Sequence, residues 1–240
     1  MRPDRTGSTI RSRPPMKLRP FYIAAAVVLA AMSAVSIWAW PQIPDDALVP
    51  IHWGPSGEPD GFASKSFGLF GLPAITAGLA LLLAFLPQVE PRRQNLERSS
   101  GAYVAVGVAT LVLMAAVHVV AVFSAWEMAV NVAAVASVVL SVLLCVIGLA
   151  MRRVHSTWLF GVRTPWTLTS ERSWERTHRA ASAVFLAVGV GSLITALAAG
   201  PAPALWVQLG GMGAGVAGLV AYSYLVWRDD PDRTESPTAG

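Results

Sequence analysis

The chain has 240 residues, of which 54% are hydrophobic and 13% charged. Its apolar residues come in unbroken runs, not at alternating or 3.6-residue spacing, which excludes an ordinary soluble domain, because a helix apolar all round must face lipid or other helices. The net charge of +4 is spread over four segments, so it reads as a topology signal and no direct nucleic-acid contact is expected.

Residues 1–20 form a basic tail, the first 16 of which are too polar to order alone. Six apolar runs follow, at 21–40, 67–86, 101–125, 129–151, 179–200 and 203–227. Each reaches the ~20 residues needed to cross a ~30 Å hydrocarbon layer as a helix. The first run ends in Trp38, Trp40 and Pro41 with no small-x-small cleavage pattern, so it reads as an uncleaved span. Of the 18 Lys and Arg residues, only Lys65 falls in an odd-numbered loop. Positive charge is retained on the cytoplasmic side, which puts both termini there. The expected fold is an all-α, polytopic integral membrane protein of the inner-membrane type. It has six transmembrane helices, N-in and C-in, with the lipid bilayer as its solvent. Residues 21–100 form a two-span N-terminal membrane domain with an outer loop at 41–66. Residues 101–227 form a four-span domain with a cytoplasmic loop at 152–178, and residues 228–240 a second cytoplasmic tail. Phe21, Tyr22, Trp38, Trp40, Trp126, Trp206, Tyr222, Tyr224 and Trp227 lie at run ends, where amphipathic rings anchor at the headgroups.

The turns at 126–128 and 200–202 allow only tight hairpins, so spans 3 and 4 are antiparallel neighbours, as are spans 5 and 6. In span 6, Gly211 and Gly215, and Gly210, Ala214 and Gly218, recur at four-residue spacing. Such a face lets helices approach closely, within the chain or in a homodimer. Cys145 is the single cysteine, read as a small packing residue. His118, Asn131 and Gln208 are isolated polar residues within the spans. An intramembrane His is either functional or bonded to a neighbouring helix. No Asp, Glu, Lys or Arg lies near the middle of a span, which argues against a coupled transporter. No nucleophile set, phosphate loop or paired thiol appears, so neither an enzyme nor a cofactor is expected.

Two loops carry specific patterns. In the outer loop, Pro50, Pro55 and Pro59 break any helix, and Gly54, Gly57 and Gly61 permit positive φ, predicting a compact, turn-rich loop. One His and two carboxylates, His52, Glu58 and Asp60, make a poor metal signature, and no metal is expected. Pro50, His52, Trp53, Gly57, Asp60, Gly61 and Lys65 resemble the Pro-x-His-aromatic…Gly-x-x-Asp-Gly-x-x-x-Lys loop of a bacterial membrane-domain family of unassigned function. The resemblance makes these seven the outer recognition residues.

In the inner loop, Ser170 is a good N-cap and Glu171 suits the first turn of a helix running straight into span 5. Glu171, Trp174, Glu175 and His178 fall on one face, and Arg172, Arg176 and Arg179 on another. Glu175 and Arg179 are spaced for an i,i+4 pair. This amphipathic segment is expected at the headgroups, with Trp166 and Trp174 in the interface and the arginines on lipid phosphates. It either seals the bundle mouth or docks a cytoplasmic protein through Arg163, Trp166 and Trp174. The run Gly161, Arg163, Thr164, Pro165, Trp166, Thr167, Leu168, Ser170, Glu171, Trp174, Thr177, His178 and Arg179 resembles the signature loop of the immunity proteins for the sporulation-delaying toxin. That resemblance implies a non-catalytic membrane protein that protects its cell from a secreted toxic peptide, signals the peptide's presence, or both. The alternatives are a sensor that sequesters a cytoplasmic transcriptional repressor through the inner loop and, more distantly, a small-solute transporter.

Overall fold

The computed structural model describes residues 16–54, 57–126, 128 and 130–234. Most of the N-terminal tail, and the end of the C-terminal one, lie outside the described residues. The elements in chain order are α1 (Arg19–Ala39), β1 (Leu48–Trp53), β2 (Pro59–Ser64), α2 (Lys65–Phe85), α3 (Arg93–Arg98), α4 (Ser100–Ala125), α5 (Val132–Met151), α6 (Pro165–Leu168), α7 (Glu171–Ala199) and α8 (Pro201–Arg228). Six of the helices are long and apolar enough to cross a membrane. At 1.5 Å per residue, even a 20-residue helix spans ~30 Å, and α5, at 20 residues, is the shortest.

The helix ends follow local chemistry. The Ser170 hydroxyl accepts from Ser173 N at 2.8 Å, so α7 starts before the apolar run, as its capping pattern predicts. Gly200 takes a φ of 92° and Pro201 opens α8, which makes the turn between α7 and α8 tight. Asn131 does not lie within a span. It caps α5, its side-chain oxygen accepting from Ala134 N at 2.9 Å.

The helices pack in two groups. In one, α7 lies along both α5 and α8; in the other, α1, α2 and α4 pack together. The contact of α4 with α5 joins them. A Cβ at Gly215 would lie 2.4 Å from the Val184 side chain, and one at Gly211 2.9 Å from Val188. That face therefore serves packing of α8 on α7, while Gly210 and Gly218 face open space. Cys145 is a packing residue: a Cβ at Gly189 would meet its sulfur at 2.7 Å.

The buried polar side chains join helices. The Gln208 amide nitrogen donates to Ser137 O at 2.9 Å and to the Ser141 hydroxyl at 3.0 Å. Ser141 donates on to Ser192 at 3.1 Å, and Ser192 to Ala204 O at 3.1 Å, so one chain of bonds ties α8, α5 and α7. His118 is fully buried, its Nε2 lying 3.0 Å from the Ser36 hydroxyl and 3.2 Å from Met32 O. Ser36 donates to Leu69 O at 2.6 Å, so this group ties α1, α2 and α4. Bonding to neighbouring helices is what a lone His inside a span most simply does.

Residues 16–18, 86–99, 152–170 and 229–234 meet at one end of the bundle, through contacts of Leu18 with Leu96, of Asn95 with Ser156 and of Thr234 with Thr169. This is the basic end. The β1–β2 segment and the α4–α5 and α7–α8 turns lie at the other, the hairpin end.

Candidate functional site

The outer loop is a β-hairpin, where the sequence predicts only turns. β1 and β2 pair antiparallel, with Leu48 opposite Ser64 and Trp53 opposite Pro59. Register shifts fall around His52, and Pro50 faces Phe62. The three prolines hid the strands, because Pro removes a ladder donor and is tolerated only at edges and irregular places. Gly54 and Gly57 close the turn, with Gly57 N donating to Gly54 O at 2.9 Å and Gly57 at φ 84°. Gly61 is required by close approach, since a Cβ there would stand 2.9 Å from the His52 Cβ.

The seven outer-loop residues divide by role. Pro50 is buried, Gly61 lets the strands meet, and Lys65 is not in the loop at all. Lys65 opens α2 as a buried residue, donating to Asp45 Oδ1 at 2.8 Å with its ammonium 4.3 Å from the Trp40 ring centre. The Lys65 hydrogen bond, and then its charge, hold the exposed Asp45 carboxyl below its usual 3.8. The remaining four, His52, Trp53, Gly57 and Asp60, line one cavity. The His52 Nδ1 and an Asp60 carboxylate oxygen are bonded to each other, both side chains exposed.

That cavity has a volume of about 840 Å³. The hairpin roofs it, and its walls are one face each of α4 (Leu113, Val117, Val120), α5 (Ala133, Ala136, Leu140) and α8 (Leu205, Leu209). On α5 the lining runs from Val132 to Leu140, a depth of ~12 Å at helical rise. Gln208 is the polar group among the α8 residues that line it. Nothing in the sequence marks these apolar helix residues. An apolar side chain inside a span reads the same whether it meets lipid, a helix or a void.

At the basic end the inner loop is bonded inward. Thr164 and Thr167 form a capping box over α6, and Thr167 also donates to Val162 O at 2.8 Å. Thr164 meets the Ser223 hydroxyl of α8 at 3.0 Å, and Trp166 stands edge-on to Tyr224 at 5.2 Å. Trp174 is not an interfacial anchor. It is 1% exposed, its indole N–H donates to Val154 O at 2.9 Å, and it stacks on His178 at 4.0 Å. Its slot is closed by the loop folding back over α7. His178 Nδ1 lies 2.9 Å from Trp174 O and therefore carries the proton, leaving Nε2 to accept from Val162 N at 3.0 Å. Gly161 permits this at φ 115°, since a Cβ there would lie 2.5 Å from His178 Nε2. Thr177 is buried beside them.

Neighbouring segments bond to the loop as well. Arg92 donates to the Ser156 hydroxyl and, at 3.2 Å, to Leu168 O. The buried Glu90 accepts from Trp158 N at 3.1 Å. Ser170, besides capping α7, donates to Asp230 of the C-terminal segment. Arg163 donates to Trp158 O and remains exposed, as do Pro165, Glu171, Arg172, Arg176 and Arg179. Glu171, Trp174, Glu175 and His178 share the face their spacing predicts and line a cavity of about 270 Å³ with Arg152, Arg153 and Arg179. Glu175 and Arg179 form no ion pair among the described residues.

Two family models match the chain. Residues 27–77 match a domain of unknown function, DUF1648, and residues 153–226 match the SdpI/YfhL protein family. No curated protein and no solved structure matches it. The first match takes in most of α1, the hairpin and most of α2; the second takes in the inner loop, α7 and nearly all of α8. With six helices long and apolar enough to span a membrane, and with the first loop and nearly all of the second inside these matches, the chain is a multi-pass bacterial membrane protein, similar over residues 153–226 to the SdpI/YfhL family.

Proposed function

We propose that the protein protects its cell against a secreted toxic peptide by capturing it, without catalysis, at the hairpin end, with both termini in the cytoplasm. The observation that carries this reading is the apolar cavity beneath the hairpin. Ligand pockets measure ~300–1,000 Å³ and are mostly apolar with a few polar groups. This one fits that description and is roofed by His52, Trp53, Gly57 and Asp60, four of the residues the outer-loop pattern singles out. The charge distribution supports the orientation, since basic residues gather at the end opposite the hairpin. Exposed Arg163, Arg172, Arg176 and Arg179 support a second reading, in which the basic end docks a cytoplasmic regulator.

A strain lacking the protein, challenged with concentrated secretions of its parent, tests the reading. The deletion strain is expected to die, and wild-type protein to restore survival. His52→Ala, at normal membrane abundance, is expected not to. A deletion strain as resistant as its parent overturns the reading.

A further inference from the structure

The geometry points to the occupant of this cavity as a cationic peptide whose apolar helical end, about two turns long, inserts beneath the hairpin while its basic residues stay at the mouth. This rests on the capture reading and adds the chemistry of what is captured.

Size fits first. A helix ~10 Å across and ~12 Å long occupies ~940 Å³, close to the cavity's 840 Å³. The lining runs over about two turns on each of α4, α5 and α8, the length of the inserted end.

Charge comes second. Among the described residues, the hairpin end carries Asp45, Asp46, Glu58 and Asp60 against a single ammonium, Lys65. Lys65 is buried and already paired with Asp45. The hairpin end is therefore acidic on a protein whose overall charge is positive, and Asp60 stands at the cavity itself. An acidic rim over an apolar wall steers and holds a cation-bearing ligand and disfavours an anionic one. Trp53 and Trp206 both line the cavity, and indole rings attract cationic side chains.

The third observation separates a peptide from a lipid chain. Donation to Ser137 O fixes the orientation of the Gln208 amide. Its oxygen then accepts no hydrogen bond among the described residues, although Gln208 is 6% exposed and lines the cavity. The first turn of a helix brings unpaired backbone N–H groups that such an acceptor satisfies. An acyl chain brings none.

The test uses the full chain in nanodiscs of zwitterionic lipid and two fluorescent synthetic peptides. Both share a Leu/Ala helix of twelve residues, one flanked by lysines and the other by glutamates. Fluorescence anisotropy against empty nanodiscs is expected to show saturable binding of the lysine peptide, at least tenfold tighter than the glutamate peptide. Ala136→Trp, which fills the well, is expected to abolish saturable binding. Leu140→Trp replaces it if its thermal midpoint shows that it does not fold. Asp60→Asn is expected to weaken the lysine peptide severalfold. Equal binding of the two peptides, or binding no greater than to empty discs, overturns the proposal. So does native mass spectrometry showing a phospholipid held by wild type, lost in Ala136→Trp and not displaced by the lysine peptide. If wild type still restores survival in cells, such a result removes this occupant and leaves protection standing; if the deletion strain is resistant, protection fails whatever the discs show.

Discussion

The two ends of the bundle use their polar residues in opposite ways. At the basic end, the side chains of the inner-loop pattern bond mainly to the protein itself: Trp174 to Val154, His178 to Val162, Thr167 to Val162 and Ser170 to Asp230. At the hairpin end, His52 and Asp60 bond to each other on the surface, above a void that the helices leave open. A loop that spends its hydrogen bonds inward is built to hold shape. In the capture reading proposed above, a rim with exposed polar groups over an apolar cavity meets the peptide. A distinctive sequence pattern alone does not say which of the two it encodes.

Three measurements test this contrast. The largest effect is all-or-none and concerns which end faces outward. In a Cys145→Ala background, Asp46→Cys is expected to react with an impermeant thiol reagent in intact cells, and Arg153→Cys only after lysis. Both positions are exposed, whereas Ser156 is 2% exposed and makes a poor probe. Reactions in the reverse order would place the hairpin in the cytoplasm and end the capture reading.

Next in size is the stability difference between the ends. Trp174→Ala empties a fully buried site and leaves Val154 O without its donor. Core Trp-to-Ala changes cost ~3–5 kcal/mol, so the thermal midpoint in detergent and the membrane abundance should both fall. His52→Ala, exposed and at the rim, should leave both near wild type. Equal losses in the two variants would erase the distinction between seal and rim.

The smallest effect is a pH dependence at the hairpin end. Lys65 lowers the Asp45 pKa in the folded protein. A carboxylate with a depressed folded pKa stabilises fully above its unfolded value and loses that contribution as pH falls through the folded one. Stability should therefore drop as pH falls below 3.8, and Asp45→Asn should flatten that part of the curve while changing little at neutral pH. Identical acid limbs for the two proteins would mean that Lys65 draws its stability from its contacts inside the protein, Trp40 among them.

The number of spans, their approximate ends, the tight turn between spans 5 and 6 and the cap at Ser170 were all legible in the sequence. Each depends on local chemistry: an apolar run must be helical to satisfy its backbone in lipid, and a Ser able to cap, with Glu in the first turn after it, marks a helix start. The site was legible only in part. His52, Trp53, Gly57 and Asp60 stood out because they are polar, aromatic or Gly residues in a patterned loop. The strands around them did not, because Pro50 and Pro59 argue against a ladder that only the finished pairing makes tolerable. Trp174 read as an interfacial ring because its spacing puts it on the face of Glu171 and Glu175. The tertiary fold decided otherwise, since the chain at 152–163 returns over α7 and encloses the ring. The walls of the cavity are the clearest case. Whether an apolar residue of α4, α5 or α8 touches lipid, helix or open space depends on how three helices tilt and rotate against one another, and hydrophobicity, the same in all three settings, carries no record of it.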